Sequence, residues 1–262
     1  MNEIQTYLEE DGLLHCAVCK EPVEAFYPKG SFLEMRKHHR QCACERQAYA
    51  EEVKYYKEKE HQERVVRNKK ICFEEKEMED FIFQNVDRDS GAIRIAKEYV
   101  ANWQKMKKNH MGYLFWGPVG TGKSYLAACI ANALLEQEVT VKMTNFNTIL
   151  NDLFAAEDKT EYVRLLNVYE LLIIDDLGVE RNSEYALENI FSVIDWRYRS
   201  GKPLIITTNL PLAQLKQEIK IEKKRIYDRI LERCIPVKID GVSRHEAMAN
   251  DNMQTMKNIL KI

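Results

Sequence analysis

Eight consecutive residues, from Gly117 to Ser124, combine three glycines with a lysine and a hydroxyl in the pattern G-x-x-x-x-G-K-S. Glycines let backbone N–H groups converge on an anion, and the lysine adds a positive charge. We expect Lys123 to contact the outer phosphates of ATP and Ser124 to be a ligand of Mg²⁺. The predicted nucleotide-binding residues are Gly117, Pro118, Val119, Gly120, Thr121, Gly122, Lys123, Ser124 and Tyr125.

Polar side chains also end two later apolar segments. Asp175 and Asp176 follow Leu-Leu-Ile-Ile, and Asn209 follows Leu-Ile-Ile-Thr-Thr. We expect Asp175 to hold Mg²⁺, with a water between them, and Asp176 to orient and deprotonate an attacking water. The amide of Asn209 could hydrogen-bond that water or the γ-phosphate. Residues of these types also begin ordinary loops and cap helices, so the prediction depends on the phosphate loop beside them.

Four of the seven cysteines are clustered near the N-terminus, as Cys16 and Cys19 and then Cys42 and Cys44. Two closely spaced pairs of thiolates are typical of a tetrahedral zinc site, and four protein ligands would make that site structural. The second pair is tighter than usual, and His38 or His39 could replace one of its members. The alternative is four reduced cysteines that pack as small apolar residues.

The elements that position these residues alternate between apolar strands and amphipathic helices. The predicted strands are Tyr113–Trp116, Val139–Thr144, Leu171–Ile174, Leu204–Thr208 and Ile235–Ile239. The predicted helices are Tyr125–Glu136, Thr148–Ala155, Tyr185–Tyr198 and Leu212–Glu218, with a closing helix after Arg244. Strands that are apolar throughout belong in a parallel sheet covered on both faces, so we expect a three-layer α/β sandwich.

Composition limits the classes of protein that need to be considered. The net charge is −2 and 45% of the residues are hydrophobic, so there is no global basic field and enough apolar content for a real core. The sequence has no apolar stretch long enough to cross a bilayer and no signal-peptide pattern at Met1. We therefore expect a cytoplasmic protein with reduced cysteines and no membrane partner.

Changes in residue composition along the chain predict three segments. Residues 1–44 hold the clustered cysteines and suit a small zinc-binding domain. Residues 45–77 are dense in alternating charge and predict an exposed helical linker. Residues 78–262 carry the strand and helix alternation of the ATPase domain.

The motifs together resemble an AAA+ ATPase, and residues from about Phe81 onward resemble the DnaC/DnaI family of replicative helicase loaders with their IstB-like relatives. The segments that carry the resemblance are residues 81–86, the phosphate loop, and residues 171–178, 207–210, 225–230 and 241–244. The resemblance implies that Arg229 reaches a neighbouring subunit's ATP, that Arg225 assists it, and that Arg244 touches the γ-phosphate. Arg225 and Arg229 could instead be solvated arginines of an amphipathic helix. The segment Ser-Arg-His around Arg244 departs from the family's usual Ser-Arg-Arg or Ser-Tyr-Arg.

The same resemblance implies partners. It implies an N-terminal zinc module that grips a replicative DNA helicase, single-stranded DNA in a ring interior, and self-assembly into a spiral of roughly six subunits. It places the adenine pocket near Phe83–Val86. The segment Lys142–Phe146 has chemistry suited to DNA contact, although Phe146 is better interpreted as a core residue that packs against the sheet.

Three other functions stay open from the sequence. An IstB-type helper of DNA transposition would share almost the whole ATPase domain. A P-loop kinase for small molecules would lack a use for Asn209 and for the arginine helix. A nucleotide switch that does not hydrolyse ATP would make Asp176 dispensable.

Overall fold

The computed structural model describes residues 5–34, 36–85, 91–178 and 183–241, together with Met253 and Met256. The described residues form two compact units, Met1–Glu63 and Arg64–Ile262. Val86 and Arg244 lie outside the described residues, as does nearly all of the closing helix expected after Arg244. None of the helices in the described ranges combines the length and the apolarity that a bilayer crossing requires.

The first unit is built from two small antiparallel hairpins. Strand β1 (Thr6–Leu8) pairs with β2 (Leu14–Cys16), and β3 (Glu24–Phe26) pairs with β4 (Lys37–His39). The buried core of this unit is Cys16, Val23 and Cys42, with Leu14, Cys19 and Cys44 packed against it. A core of this size cannot hold a domain together by apolar burial alone, so a further stabilising element is required.

A single long helix, α1 (Ala43–Cys72), begins in the first unit and ends in the second. It is rich in charged residues and mostly exposed, and its buried residues are Val65 and Cys72, which lie in the second unit. The predicted charged helix is therefore present. Its role as a linker, with boundaries at 1–44, 45–77 and 78–262, remains a prediction.

The second unit is organised around a five-stranded parallel sheet. The strands lie in the order β6-β7-β8-β5-β9, and every pairing between them is parallel. The strands are β5 (Gly112–Trp116), β6 (Val141–Asn145), β7 (Leu171–Leu177), β8 (Leu204–Thr208) and β9 (Cys234–Lys238).

Eight helices follow α1 in the described part of this unit. They are α2 (Gly91–Ala101), α3 (Trp103–Lys108), α4 (Lys123–Leu135), α5 (Phe146–Ala155), α6 (Lys159–Leu166), α7 (Glu184–Ser200), α8 (Leu212–Lys216) and α9 (Ile221–Arg233). Short side chains fix several of their starts: Asn145, Asp158 and Ser183 each accept a hydrogen bond from a backbone N–H in the first turn of the following helix. Two short 3₁₀ turns, Lys76–Asp80 and Phe83–Asn85, precede α2.

Alternation along the central strands sorts the core into two layers. In β7, Leu171 and Ile173 pack with residues of α2 and α4, whereas Leu172 and Ile174 pack with residues of α5, α7 and α9. Successive side chains of a strand point to opposite faces, so both faces of the sheet are covered. The predicted three-layer α/β fold is confirmed.

A buried arginine ties the starts of two central strands to α7. Arg197 is 1% exposed, and its guanidinium donates to the carbonyl oxygens of Tyr169, Glu170 and Pro203 at 2.6 to 3.1 Å. Burial lowers the pKa of Arg197 to about 9, which still leaves it charged at neutral pH. Carbonyl dipoles satisfy this cation because they point at it from the residues just before β7 and β8.

Candidate functional site

The phosphate loop lies between β5 and α4, and its backbone requires glycine at its first residue. Gly117 has φ +146°, and a Cβ atom there would lie 2.3 Å from the carbonyl oxygen of Ile239. Gly122, which precedes the first turn of α4, also has positive φ. The loop is fastened internally because the Thr121 hydroxyl donates to the carbonyl of Pro118 at 2.9 Å. The chain thus has the local shape that the glycine spacing predicts.

Lys123 is held at this loop by backbone carbonyls. It is 5% exposed, and its Nζ donates to the carbonyl oxygens of Gly117 at 3.0 Å and Pro118 at 2.7 Å. Burial lowers the pKa of Lys123, while the nearby carboxylates of Asp176 and Asp175 act in the opposite direction. The structure therefore places Lys123 close enough to Asp175 and Asp176 for their charges to raise its pKa.

Asp175 lies at the end of β7 and is bonded from two sides. The hydroxyl of Thr207 on β8 donates to its Oδ1 at 2.5 Å, and Ser124 makes a second side-chain hydrogen bond to it. Burial raises the pKa of Asp175, and the two hydrogen bonds oppose that rise. A hydroxyl and a carboxylate in contact form an oxygen pair of the kind that Mg²⁺ prefers, so Ser124 and Asp175 fit the predicted metal role.

Asp176 has a different local backbone from Asp175. Its φ is +56°, and the pairing of β7 with β8 shifts register between Ile174 and Leu177. This bulge turns Asp176 out of the ladder, where its backbone N–H donates to the Thr207 hydroxyl at 3.0 Å. The Asn209 amide donates to Asp176 Oδ1 at 3.4 Å, and no hydrogen-bond partner is found for Asn209 Oδ1 among the described residues.

Thr207 is the site residue that sequence reasoning missed. Its single hydroxyl joins Asp175 to the backbone of Asp176, so it sets the relative position of the two acids. The sequence does contain a pointer to this role, since Thr207 directly precedes Thr208, the last residue of β8, and Asn209. A threonine inside a strand is usually explained by β propensity alone, which concealed this role.

We expect the substitution Asp175→Asn to stabilise the nucleotide-free protein at neutral pH while impairing Mg²⁺-ATP binding. A carboxyl whose pKa is higher in the folded state binds its proton more tightly there, so stability falls as the pH rises through the interval between the unfolded and folded values. Asparagine keeps the acceptor for Thr207 without the buried charge. We expect Tm to rise by about 1–3 °C at pH 7, with the gain shrinking toward about pH 4.

Thermal unfolding without nucleotide between about pH 4 and pH 8 measures this effect. Asp152→Asn is the matched control because Asp152 is an exposed carboxylate on α5, and its substitution should leave Tm nearly unchanged. A lower Tm of Asp175→Asn than of the wild-type protein at neutral pH would contradict the expectation.

The predicted finger arginines lie on α9, against α7 of the same chain. Arg229 forms an ion pair with Asp195 at 2.6 Å, and its guanidinium stacks over Phe191 at 4.7 Å. Arg225 is exposed and stacks over the same ring at 4.3 Å. The contacts found for both arginines in the described structure are thus to α7 rather than to the phosphate loop of their own chain. The predicted role of Arg244 falls on a residue outside the described ranges.

The four clustered cysteines come together in the first unit. The sulfur atoms of Cys16, Cys19, Cys42 and Cys44 all lie within 4.8 Å of one another, and Cys16 and Cys42 are fully buried. Four sulfurs around one Zn²⁺ at about 2.3 Å must lie about 3.8 Å apart, so this set fits the ion. Backbone N–H groups of Glu21 and Cys44 lower the pKa of Cys19 by bonding its sulfur, which favours the thiolate that a metal needs.

The two histidines near the second cysteine pair have other partners. His38 Nδ1 lies 3.0 Å from the carbonyl oxygen of His39, and its ring packs against Tyr27. His39 Nε2 lies 3.4 Å from Glu45 Oε1. The ligand set that the geometry favours is therefore the four cysteines.

The two residues considered for DNA contact, Phe146 and Lys142, make contacts within this chain. Phe146 is 1% exposed and belongs to the core between the sheet, α5 and α7. Lys142 donates to the carbonyl of Ile71 at 3.2 Å and lies 3.9 Å from Glu74. The core interpretation of Phe146 is thus the correct one, and its ring is not exposed for stacking on a base.

A three-layer α/β domain with a phosphate loop after β5 and two acids at the end of β7 defines a P-loop nucleotide-binding protein of the AAA+ type. The family described as IstB-like ATP binding protein matches residues 41–249, and this chain belongs to it.

Helicase loaders are among the relatives. The replicative helicase loader DnaC of Escherichia coli strain K12 is 29% identical over 144 residues, which cover 53% of this chain and 56% of the relative. The replicative helicase loader DnaI of Bacillus subtilis is 21% identical over 270 residues, which cover 93% of this chain and 82% of the relative. A crystal structure of DnaI matches with a TM-score of 0.58 and 27% identity, covering 68% of this chain and 99% of that one. The chain thus matches little more than half the length of DnaC.

Proposed function

We propose that this protein is an ATP-dependent loader that binds a replicative DNA helicase and delivers it onto single-stranded DNA. The observation that carries the proposal is the similarity to the DnaI loader over 93% of the chain. A match of that extent reaches beyond the ATPase domain into the N-terminal cysteine unit. The alternative, a helper of DNA transposition, is supported by the family description over residues 41–249, which begins just before the second cysteine pair.

The chemistry proposed at the site is hydrolysis of ATP. Ser124, directly, and Asp175, through a water, would hold Mg²⁺, which would neutralise part of the phosphate charge when bound. Lys123 binds the outer phosphates, replacing its bonds to the carbonyls of Gly117 and Pro118 with charge-assisted ones. Asp176 accepts the proton of the attacking water, and Asn209, whose Oδ1 has no described partner, helps to orient it.

Subunit contacts complete the proposed site. Arg225 is exposed at the α7–α9 surface, and Arg229 is held by Asp195 on the same surface. We assign Arg229 to contact a neighbour's γ-phosphate and Arg225 to assist it, with Arg244 acting within its own subunit. The ion pair with Asp195 uses one terminal nitrogen of Arg229, and a guanidinium has further N–H donors that can contact a phosphate. The proposed assembly has roughly six subunits.

The zinc unit is proposed as the attachment to the helicase. It carries exposed apolar side chains at Leu8, Val18 and Phe32, although its own core is small. Apolar side chains left exposed on so small a unit are available for a protein contact.

The test mixes the full-length protein, ATP and Mg²⁺ with the replicative helicase of the same source and measures the mass of the complex. We expect a stoichiometric complex that is weakened by Phe32→Ser but not by the exposed α1 control Tyr55→Ser. Absence of a complex with ATP, with ADP and without nucleotide would refute helicase loading. That result would favour the transposition helper and leave ATP binding unaffected.

A further inference from the structure

One asparagine on the helix of the phosphate loop is buried among apolar side chains. Asn132 lies near the end of α4, is 1% exposed, and has alanine and leucine neighbours along the helix. Burial of an amide without full hydrogen bonding costs about 1–3 kcal/mol, and no partner is found for Asn132 Oδ1 among the described residues. Packing alone therefore gives no reason for an amide at this position.

The amide nitrogen of Asn132 is fully used. Nδ2 donates to the carbonyl oxygens of Met78 at 2.8 Å and Phe81 at 3.0 Å, and lies 3.1 Å from the carbonyl of Ala128. Because all three partners are acceptors, the orientation of the amide is determined. Two of them belong to the segment before the 3₁₀ turn Phe83–Asn85, more than fifty positions earlier in the sequence.

A second contact fixes the same segment close to the phosphate loop. Tyr125 directly follows Ser124, and its hydroxyl donates to the carbonyl of Ile82 at 3.2 Å. The Tyr125 ring also packs against Phe81, with centroids 4.6 Å apart. Two side chains of α4 thus hold three carbonyl groups, at residues 78, 81 and 82, and place the turn Phe83–Asn85 beside the nucleotide loop.

This arrangement leaves the turn itself presented to a ligand. Gln84 and Asn85 are exposed, and among the described residues Asn85 Nδ2 has a long hydrogen bond, of 3.4 Å, to the carbonyl of Asp80. Because this segment is attached at Tyr125, directly after residues 117–124, it lies close enough for the base of a nucleotide bound at the loop to reach it. Backbone and amide groups of the turn can hydrogen-bond the edge of a base.

We propose that Asn132 is a positioning residue that holds the base-recognising turn Phe83–Asn85 in place and so sets the affinity and base preference of the phosphate-loop site. The inference rests on nucleotide binding at that loop and is independent of helicase loading. Asn132 acts through Met78 and Phe81, so its loss should affect the base and spare the phosphates.

The test compares ATP, GTP and tripolyphosphate, which has phosphates but no base, for binding to the full-length protein by calorimetry. We expect Asn132→Leu, which keeps the branched shape and the number of side-chain heavy atoms, to weaken ATP binding about tenfold, to reduce the preference between ATP and GTP, and to leave tripolyphosphate binding unchanged. Asn109→Leu is the matched control, because Asn109 is exposed and its side chain, in the described structure, donates to the carbonyl of Lys105 on the preceding helix α3.

Tyr125→Phe provides an independent variant if Asn132→Leu folds poorly. It keeps the ring against Phe81 and removes the hydroxyl bond to Ile82, so we expect a smaller change in the same direction. Equal weakening of ATP and tripolyphosphate binding by these variants would overturn the inference, as would unchanged ATP binding. A wild-type protein that binds none of the three ligands would overturn nucleotide binding as well.

Discussion

Replacing Asp176 by asparagine is expected to slow ATP hydrolysis by about 10²- to 10⁴-fold while ATP binding stays close to that of the wild-type protein. Asparagine has the shape of aspartate and tolerates the left-handed backbone that Asp176 adopts at φ +56°. It also keeps an oxygen that can accept the bond from Asn209. The variant therefore loses the base and little else.

Single-turnover hydrolysis and equilibrium binding of a fluorescent nucleotide separate the two effects. Asp152→Asn, the exposed control on α5, should hydrolyse ATP at the wild-type rate. Undiminished turnover in Asp176→Asn would contradict the role proposed for this carboxylate. A wild-type protein that binds ATP without turning it over would instead favour the alternative of a nucleotide switch, for which Asp176 is dispensable.

Removing zinc is expected to unfold the first unit and to leave the nucleotide-binding unit folded. Structural zinc in small domains contributes apparent binding free energies of about 10–16 kcal/mol, which is more than the small core of Cys16, Val23 and Cys42 can replace. The second unit has its own two-layered core and should keep its affinity for ATP.

Metal analysis and amide hydrogen exchange, before and after chelation, follow this change. We expect about one zinc ion per chain, lost in the double variant Cys16→Ser, Cys42→Ser. His39→Ala is the matched control, since His39 is exposed and lies outside the sulfur cluster. Full zinc content in the cysteine variant, or unchanged protection of the first unit after chelation, would show that the cysteines are packing residues.

The strands of the sheet and the phosphate loop can be predicted from local patterns in the sequence. Glycine spacing between a strand and a helix specifies the loop, and apolar runs locate each strand to within a few residues. Strand β8 has the predicted bounds Leu204–Thr208, whereas β7 extends past Ile174 to Leu177 because a bulge carries the chain through both aspartates. No local pattern predicts such a bulge, because two aspartates after an apolar run are also common where a strand ends and a loop begins.

Contacts between segments that are distant in the sequence could not be predicted from it. The pairing of Arg229 with Asp195 joins α9 to α7, and the bond of Asn132 to Met78 joins α4 to a segment far earlier in the chain. In the sequence, Arg229 could be a solvated residue of an amphipathic helix and Asn132 an interruption in an apolar helix. Only the packing of the helices on the sheet gives either residue its partner.

The guanidinium of Arg197 has a mechanical consequence for the site. It clamps the chain just ahead of β7 and β8, whose far ends carry Asp175, Asp176 and Asn209. The Thr207 and Thr208 hydroxyls join the same two strands at the other end, so β7 and β8 are held together at both ends. A displacement of α7 would therefore be transmitted to the strands that carry the acids and lead to the amide, because Arg197 belongs to that helix.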